Sequence, residues 1–112
     1  MMSTVIDVVG KAQFDEIVST SDKLLFVDFW ASRCGPCRML GPVLHDIADK
    51  YADKVQIIKI NVDEDENADL AMQFQVRSIP QVNLFYHGKQ VDQFIGVLPH
   101  EEVEAYVAKY IV

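Results

Sequence analysis

Leu24-Leu25-Phe26-Val27-Asp28-Phe29-Trp30-Ala31-Ser32-Arg33-Cys34-Gly35-Pro36-Cys37 decides how the rest of this chain is read. Its first seven residues form a near-continuous apolar run, the pattern of a strand buried on both faces, as parallel strands in α/β folds are. After Cys34, the residues Met39, Val43, Leu44, Ile47, Ala48 and Tyr51 recur at helical spacing and predict a buried stripe. Pro36 suits the first positions of that helix, where its missing N–H would have been unpaired anyway. Pro42 lies inside it and cannot reach the carbonyl of Arg38, so a kink is expected there. The two cysteines therefore sit where a central strand passes into a helix.

Outward from this junction, strand-like and helix-like segments alternate with short connections. Val5–Val8 reads as a first strand, and Lys11–Ser19 as a helix with Phe14, Ile17 and Val18 on one face. Val55–Val62 is a second buried strand, followed by the acidic loop Asp63-Glu64-Asp65-Glu66 and a short helix over Ala68–Phe74. Gln81–Tyr86 and Gln90–Ile95 flank His87-Gly88-Lys89 and predict an antiparallel hairpin. Pro99-His100-Glu101-Glu102 opens a last helix carrying Val103, Tyr106, Val107 and Tyr110. The order βαβαβαββα predicts an α/β fold, a central mixed β-sheet flanked by helices. With 112 residues, half of them hydrophobic, residues 1–112 are expected to form one domain with a core that needs no staples.

Seventeen acidic against 10 basic side chains give a net charge of −7, which argues against nucleic-acid binding and fits a soluble monomer. No apolar run approaches the roughly 18 residues that cross a bilayer. The N-terminus lacks a basic segment and carries Asp7 in its short apolar stretch, so no secretory leader and a cytoplasmic location are expected. In such a compartment two cysteines this close are more often catalytic or metal-binding than structural. A metal site would need further ligands, and His45, His87 and His100 lie at no short ligand spacing from the pair, so no metal is expected. A structural disulfide would close too short a loop to stabilise much.

Redox chemistry fits the spacing. Residues three apart on a helix share a face, so the two sulfurs can bond. The first-turn N–H groups and the positive end of the helix dipole favour a thiolate on Cys34. Cys37, one turn further in, is expected to be more buried and to stay protonated until it resolves the mixed disulfide formed by Cys34.

Beyond the cysteines, Val27-Asp28-Phe29-Trp30-Ala31, Cys34-Gly35-Pro36-Cys37-Arg38-Met39, Pro42, Asn61-Val62-Asp63, Val76-Arg77-Ser78-Ile79-Pro80, Gly88 and Gly96 together resemble the thioredoxin family. The similarity runs in order over nearly the whole chain. It implies the thioredoxin fold and reduction of protein disulfides by dithiol–disulfide exchange, with no cofactor beyond the Cys34–Cys37 disulfide. It also implies client proteins bearing disulfides and re-reduction by thioredoxin reductase, an NADPH-dependent flavoprotein.

Asp28 interrupts the apolar strand. Burial should raise its pKa, and the resemblance makes it the proton acceptor for Cys37 through water; the alternative is a carboxylate satisfied locally. Lys59 is implied to approach Asp28 and ease its ionisation, or else to snorkel to water. Ile79-Pro80 is implied to be cis and to lie beside the cysteines, exposing backbone to an extended client. Gly96 is expected to allow close backbone approach at the opposite wall, or to mark a plain turn. Trp30, Gly35 and Pro36 complete the client-binding surface, and Trp30 doubles as a fluorescence reporter. Arg33 departs from the family, which usually has tryptophan before the first cysteine. Its charge is expected to favour the Cys34 thiolate and draw acidic clients, unless it points into solvent. Gln81 and Ser78 also depart and are expected to tune the client groove.

Two other functions are compatible with the fold. Oxidants and isomerases tend to have histidine between the cysteines, whereas Pro36 favours a reductant. A binding subunit with incidental cysteines would have no need for Asp28 or Ile79-Pro80.

Overall fold

A computed structural model describes residues 5–111; Met1–Thr4 and Val112, the two ends of the expected 1–112 domain, lie outside the described residues. The elements are β1 (Val5–Asp7), α1 (Lys11–Thr20), β2 (Leu24–Trp30), α2 (Gly35–Lys50), β3 (Val55–Asn61), a 3-10 turn (Asp65–Asn67) running into α3 (Ala68–Gln73), β4 (Gln81–Tyr86), β5 (Lys89–Ile95) and α4 (His100–Tyr110). The order βαβαβαββα is the one the sequence pattern predicts.

The sheet runs β1-β3-β2-β4-β5. β1 and β2 pair with β3 in parallel, while β4 runs antiparallel to β2 and β5 antiparallel to β4. β2 is thus central, with helices over both faces, and Leu24 through Phe29 are all buried. Alternate residues of the strands supply two cores. Leu24 and Phe26 pack with Leu40, Leu44 and Ile47 of α2 and with Val103 and Val107 of α4. Leu25, Val27 and Phe29 pack on the other side with Phe14 of α1 and Leu70 of α3. There the rings of Phe14, Phe74 and Phe85 meet edge-on at centroid distances of 5.5–5.7 Å.

The hairpin between β4 and β5 turns on His87 (φ +52°) and Gly88 (φ +81°). Two successive positive φ angles mark a type I′ turn, whose twist matches that of the strands it joins.

One expectation about α2 needs correction. Met39 is not part of the buried stripe; it is 66% exposed. The inward positions are Cys37, Leu40, Leu44, Ile47 and Ala48. Because Cys37 faces inward, Leu40 follows on the same face at i+3, and Met39 falls to the side. Pro42 lies inside the helix as the sequence places it, and the helix runs on to Lys50.

Candidate active site

Cys34 is the N-cap of α2, in extended conformation, and the turn before it is closed by its own N–H donating to the Ala31 carbonyl at 3.1 Å. The Cys37 N–H donates to Cys34 Sγ at 3.2 Å. One of the unpaired donors of the first turn therefore points at the sulfur that would carry negative charge on reduction. The two cysteines form a disulfide with a Cα–Cα separation of 5.2 Å. Cys34 is 9% exposed and Cys37 3%, so the outer sulfur is the one on the side of solvent.

Trp30, Ala31 and Ile79 pack around the cysteines. The Ile79-Pro80 bond is cis, and the Ile79 carbonyl oxygen lies 3.7 Å from Cys34 Sγ. Pro80 is buried, and its carbonyl accepts the Gly96 N–H at 2.8 Å, tying the loop before β4 to the end of β5. Gly96 adopts φ +90°, and a Cβ built there meets no atom within 4 Å. Backbone conformation, not close approach within the chain, is what calls for glycine. On either side of it Ile95 and Val97 are 54% and 38% exposed.

Asp28 faces α2. It is 1% exposed, and its Oδ1 has no hydrogen-bond partner among the described residues. Loss of solvation pushes its pKa up to about 7, with Lys59 pulling in the opposite direction. Lys59 is the direct neighbour of Asp28 in the β2–β3 register, and its Nζ lies 3.9 Å from the centre of the Trp30 ring. Asp28, Trp30, Cys37, Pro42, His45 and Lys59 line one open cleft of about 540 Å³ between the sheet and α2. The cleft gives Asp28 a route to solvent alongside Cys37.

At the rim, Arg33 is exposed, in line with its solvent-facing alternative, and forms an ion pair with Asp63. Gln81 differs from the sequence-based expectation: it does not face the client groove. It is 2% exposed on the α1/α3 side, where its Nε2 donates to Asn83 Oδ1 at 3.0 Å. Residues two apart on a strand share a face, and Gln81 stands opposite Phe29 of that inner core. Asn67 was not singled out from the sequence. It is fully buried, accepts the Gly10 N–H through Oδ1 and donates through Nδ2 to the carbonyls of Val8 and Asn61. Among the described residues, no group of three or more His, Cys, Asp or Glu side chains is placed to hold a metal ion, and no helix is long and apolar enough to cross a membrane.

The thioredoxin family model matches residues 5–109. This chain belongs to the thioredoxin family. A thioredoxin of Alicyclobacillus acidocaldarius subsp. acidocaldarius is 47% identical over 97 residues, covering 87% of this chain and 90% of that one. A thioredoxin of Synechocystis is 41% identical over 103 residues, covering 92% and 94%. Among solved structures, a mutant thioredoxin from Halobacterium salinarum superposes with a TM-score of 0.88 at 31% identity, over 100% of this chain and 96% of that one. A thioredoxin of Malassezia sympodialis gives 0.83 at 32% identity, over 97% and 92%. With a thioredoxin fold and a disulfide between Cys34 and Cys37, the chain is a thiol–disulfide oxidoreductase of the protein-disulfide reductase type.

Proposed function

We propose that Cys34 is the attacking sulfur, Cys37 the resolving one and Asp28 the proton acceptor in the reduction of protein disulfides. The observation that carries this reading is the cap geometry: the Cys37 N–H is directed at Cys34 Sγ, in a pair whose inner member lines the same cleft as a buried acid. In the reduced protein the Cys34 thiolate attacks one sulfur of a client disulfide, forms a mixed disulfide and releases the first client thiolate. Cys37 then gives its proton to Asp28 and attacks Cys34 Sγ, closing the intramolecular disulfide and releasing the second client sulfur. Two electrons pass to the client, and the chain is left oxidised. An acceptor with a pKa of about 7 is matched to a thiol that must ionise near neutral pH.

Lys59 supports the ionised form of Asp28 by its charge. Trp30, Arg33, Gly35, Pro36, Ile79, Pro80 and Gly96 form the client surface, the backbone around Ile79 pairing with an extended client segment. The dithiol itself serves as the redox group without a further cofactor. Re-reduction by an NADPH-dependent flavoprotein thioredoxin reductase in the cytoplasm, with the chain acting as a monomer, completes the cycle.

The test is the reduction potential of the Cys34–Cys37 pair, read from Trp30 emission in defined thiol–disulfide buffers. A value near about −270 mV, the known figure for thioredoxins, supports a general reductant. A value between about −180 and −120 mV moves the reading to isomerase or oxidant. Absence of any reversible two-electron transition leaves a binding module.

A further inference from the structure

Arg33 and Asp63 meet beside the nucleophile in a two-point contact: Arg33 Nε donates to Asp63 Oδ2 at 2.9 Å and Nη2 donates to Oδ1 at 3.1 Å. This is the way a guanidinium takes up a carboxylate of any origin. The backbone that carries the acceptor is held in place. The Asp63 N–H donates to Asn61 Oδ1 at 2.9 Å, the Asn61 carbonyl accepts from buried Asn67 at 3.0 Å, and the Val62 N–H donates to the Trp30 carbonyl at 2.9 Å. The donor hangs from the turn that Cys34 N–H closes, one residue before the reacting sulfur. Both side chains remain open to water, at 66% and 45% exposure, so partners can exchange.

We infer that Asp63 is a specificity-determining residue, an internal carboxylate that occupies the Arg33 fork and withholds it from carboxylates of the client. The inference rests on the reading of Cys34 as the client-attacking sulfur. A client with Asp or Glu beside its disulfide must displace Asp63 to reach Arg33, so one fork is lost for each fork gained. Displacement also leaves the Asp63 carboxylate uncompensated next to the exposed acids Glu64, Asp65 and Glu66. Arg33 therefore gives the wild-type chain no preference for acidic clients, although it stands directly before the nucleophile.

The experiment compares reduction rates for two synthetic peptide disulfides that differ only in Glu or Lys beside the cysteines. The enzymes are the full chain, Asp63→Asn, Arg33→Gln and the double variant. Asp63→Asn is expected to raise the acidic-to-basic rate ratio by about three- to tenfold at low ionic strength, and much less in about 0.5 M salt. In the Arg33→Gln background the same change should leave the ratio nearly unaltered. Asp63→Glu, which keeps a carboxylate, should hold the ratio near the wild-type value; Asp63→Ser replaces Asp63→Asn if that variant melts early. An equal shift of the ratio with and without Arg33 would overturn the inference, since Asp63 would then act only as a repelling charge. So would no shift in the Arg33 background. Failure of the wild type to reduce either peptide would instead sink the assignment of Cys34.

Discussion

Asp28 and the pair Gln81–Asn83 are all nearly fully buried in one sheet, yet they lie on opposite faces and meet opposite fates. On the α1/α3 face, Gln81 Nε2 donates to Asn83 Oδ1 at 3.0 Å, and Asn83 Nδ2 lies 3.5 Å from Gln90 Oε1. On the α2 face, Asp28 Oδ1 finds no partner among the described residues. Buried polar groups are nearly always paired, because an unpaired one keeps the full cost of desolvation. The amides follow that rule and cannot titrate. The acid departs from it, titrates near neutrality and borders the cleft that reaches Cys37. One face holds polarity as structure and the other holds it as chemistry.

The most severe way to break this contrast is to remove the group that Asp28 serves. Cys37→Ser should abolish turnover and trap the client on Cys34, seen as a mixed-disulfide adduct by mass spectrometry. Adding Asp28→Asn should then leave the rate of that first attack unchanged. Continued turnover by Cys37→Ser would end the division of labour between the two sulfurs.

Asp28→Asn alone should slow resolution by about 10²-fold, the lower range for losing a positioned proton acceptor, in stopped-flow measurements of Trp30 emission. It should also stabilise the oxidised protein at pH 8 by up to about 4 kcal/mol, the linkage equivalent of moving a carboxyl from 3.8 to about 7. Folded Asp28 keeps its proton up to about pH 7, whereas the unfolded chain releases it near 3.8. Rising pH between those values therefore favours unfolding, and wild-type stability should fall across that window and level off above it. Below the unfolded value both states are protonated, and this contribution vanishes. Denaturant melts of wild type and Asp28→Asn from pH 3 to 9 would show it; parallel curves would refute the burial-driven shift.

Asn83→Leu sharpens the comparison from the other face. It strips Gln81 Nε2 of its shorter hydrogen bond and should cost about 1–3 kcal/mol. The cost should be alike at pH 5 and pH 8, with the resolution rate unchanged. A pH-dependent loss would mean that the two faces are coupled. The smallest effect belongs to Lys59→Met. Removing the charge that lowers the Asp28 pKa should move the midpoint of the stability profile to higher pH, with little change in stability below pH 4. A midpoint displaced downward would show that Lys59 does not act on Asp28 by charge.

Much of this was legible in the chain itself. The apolar run at Leu24–Trp30 marked the central strand with its own boundaries, because a strand covered on both sides needs apolar residues at both parities. Cys34-Gly35-Pro36-Cys37 placed a sulfur at a helix cap, because proline suits the first turn and residues three apart share a face. Asp28 stood out as a lone acid in that run. Met39 lies outside the buried stripe because helical spacing admits two adjacent stripes, and only packing against the sheet selects Leu40 over its neighbour.

What the sequence determined by itself was therefore local: element order, the cap that holds the dithiol and the presence of an acid in the core. Each follows from periodicities of a few residues. Tertiary structure alone decided which distant groups meet. It set Lys59 beside Asp28 through strand register, brought Ile79 to Cys34, turned Gln81 inward and closed Arg33 onto Asp63 across 30 residues. A side chain's charge is written in the sequence; its partner is chosen by the fold, and the partner determines whether that charge is free to act.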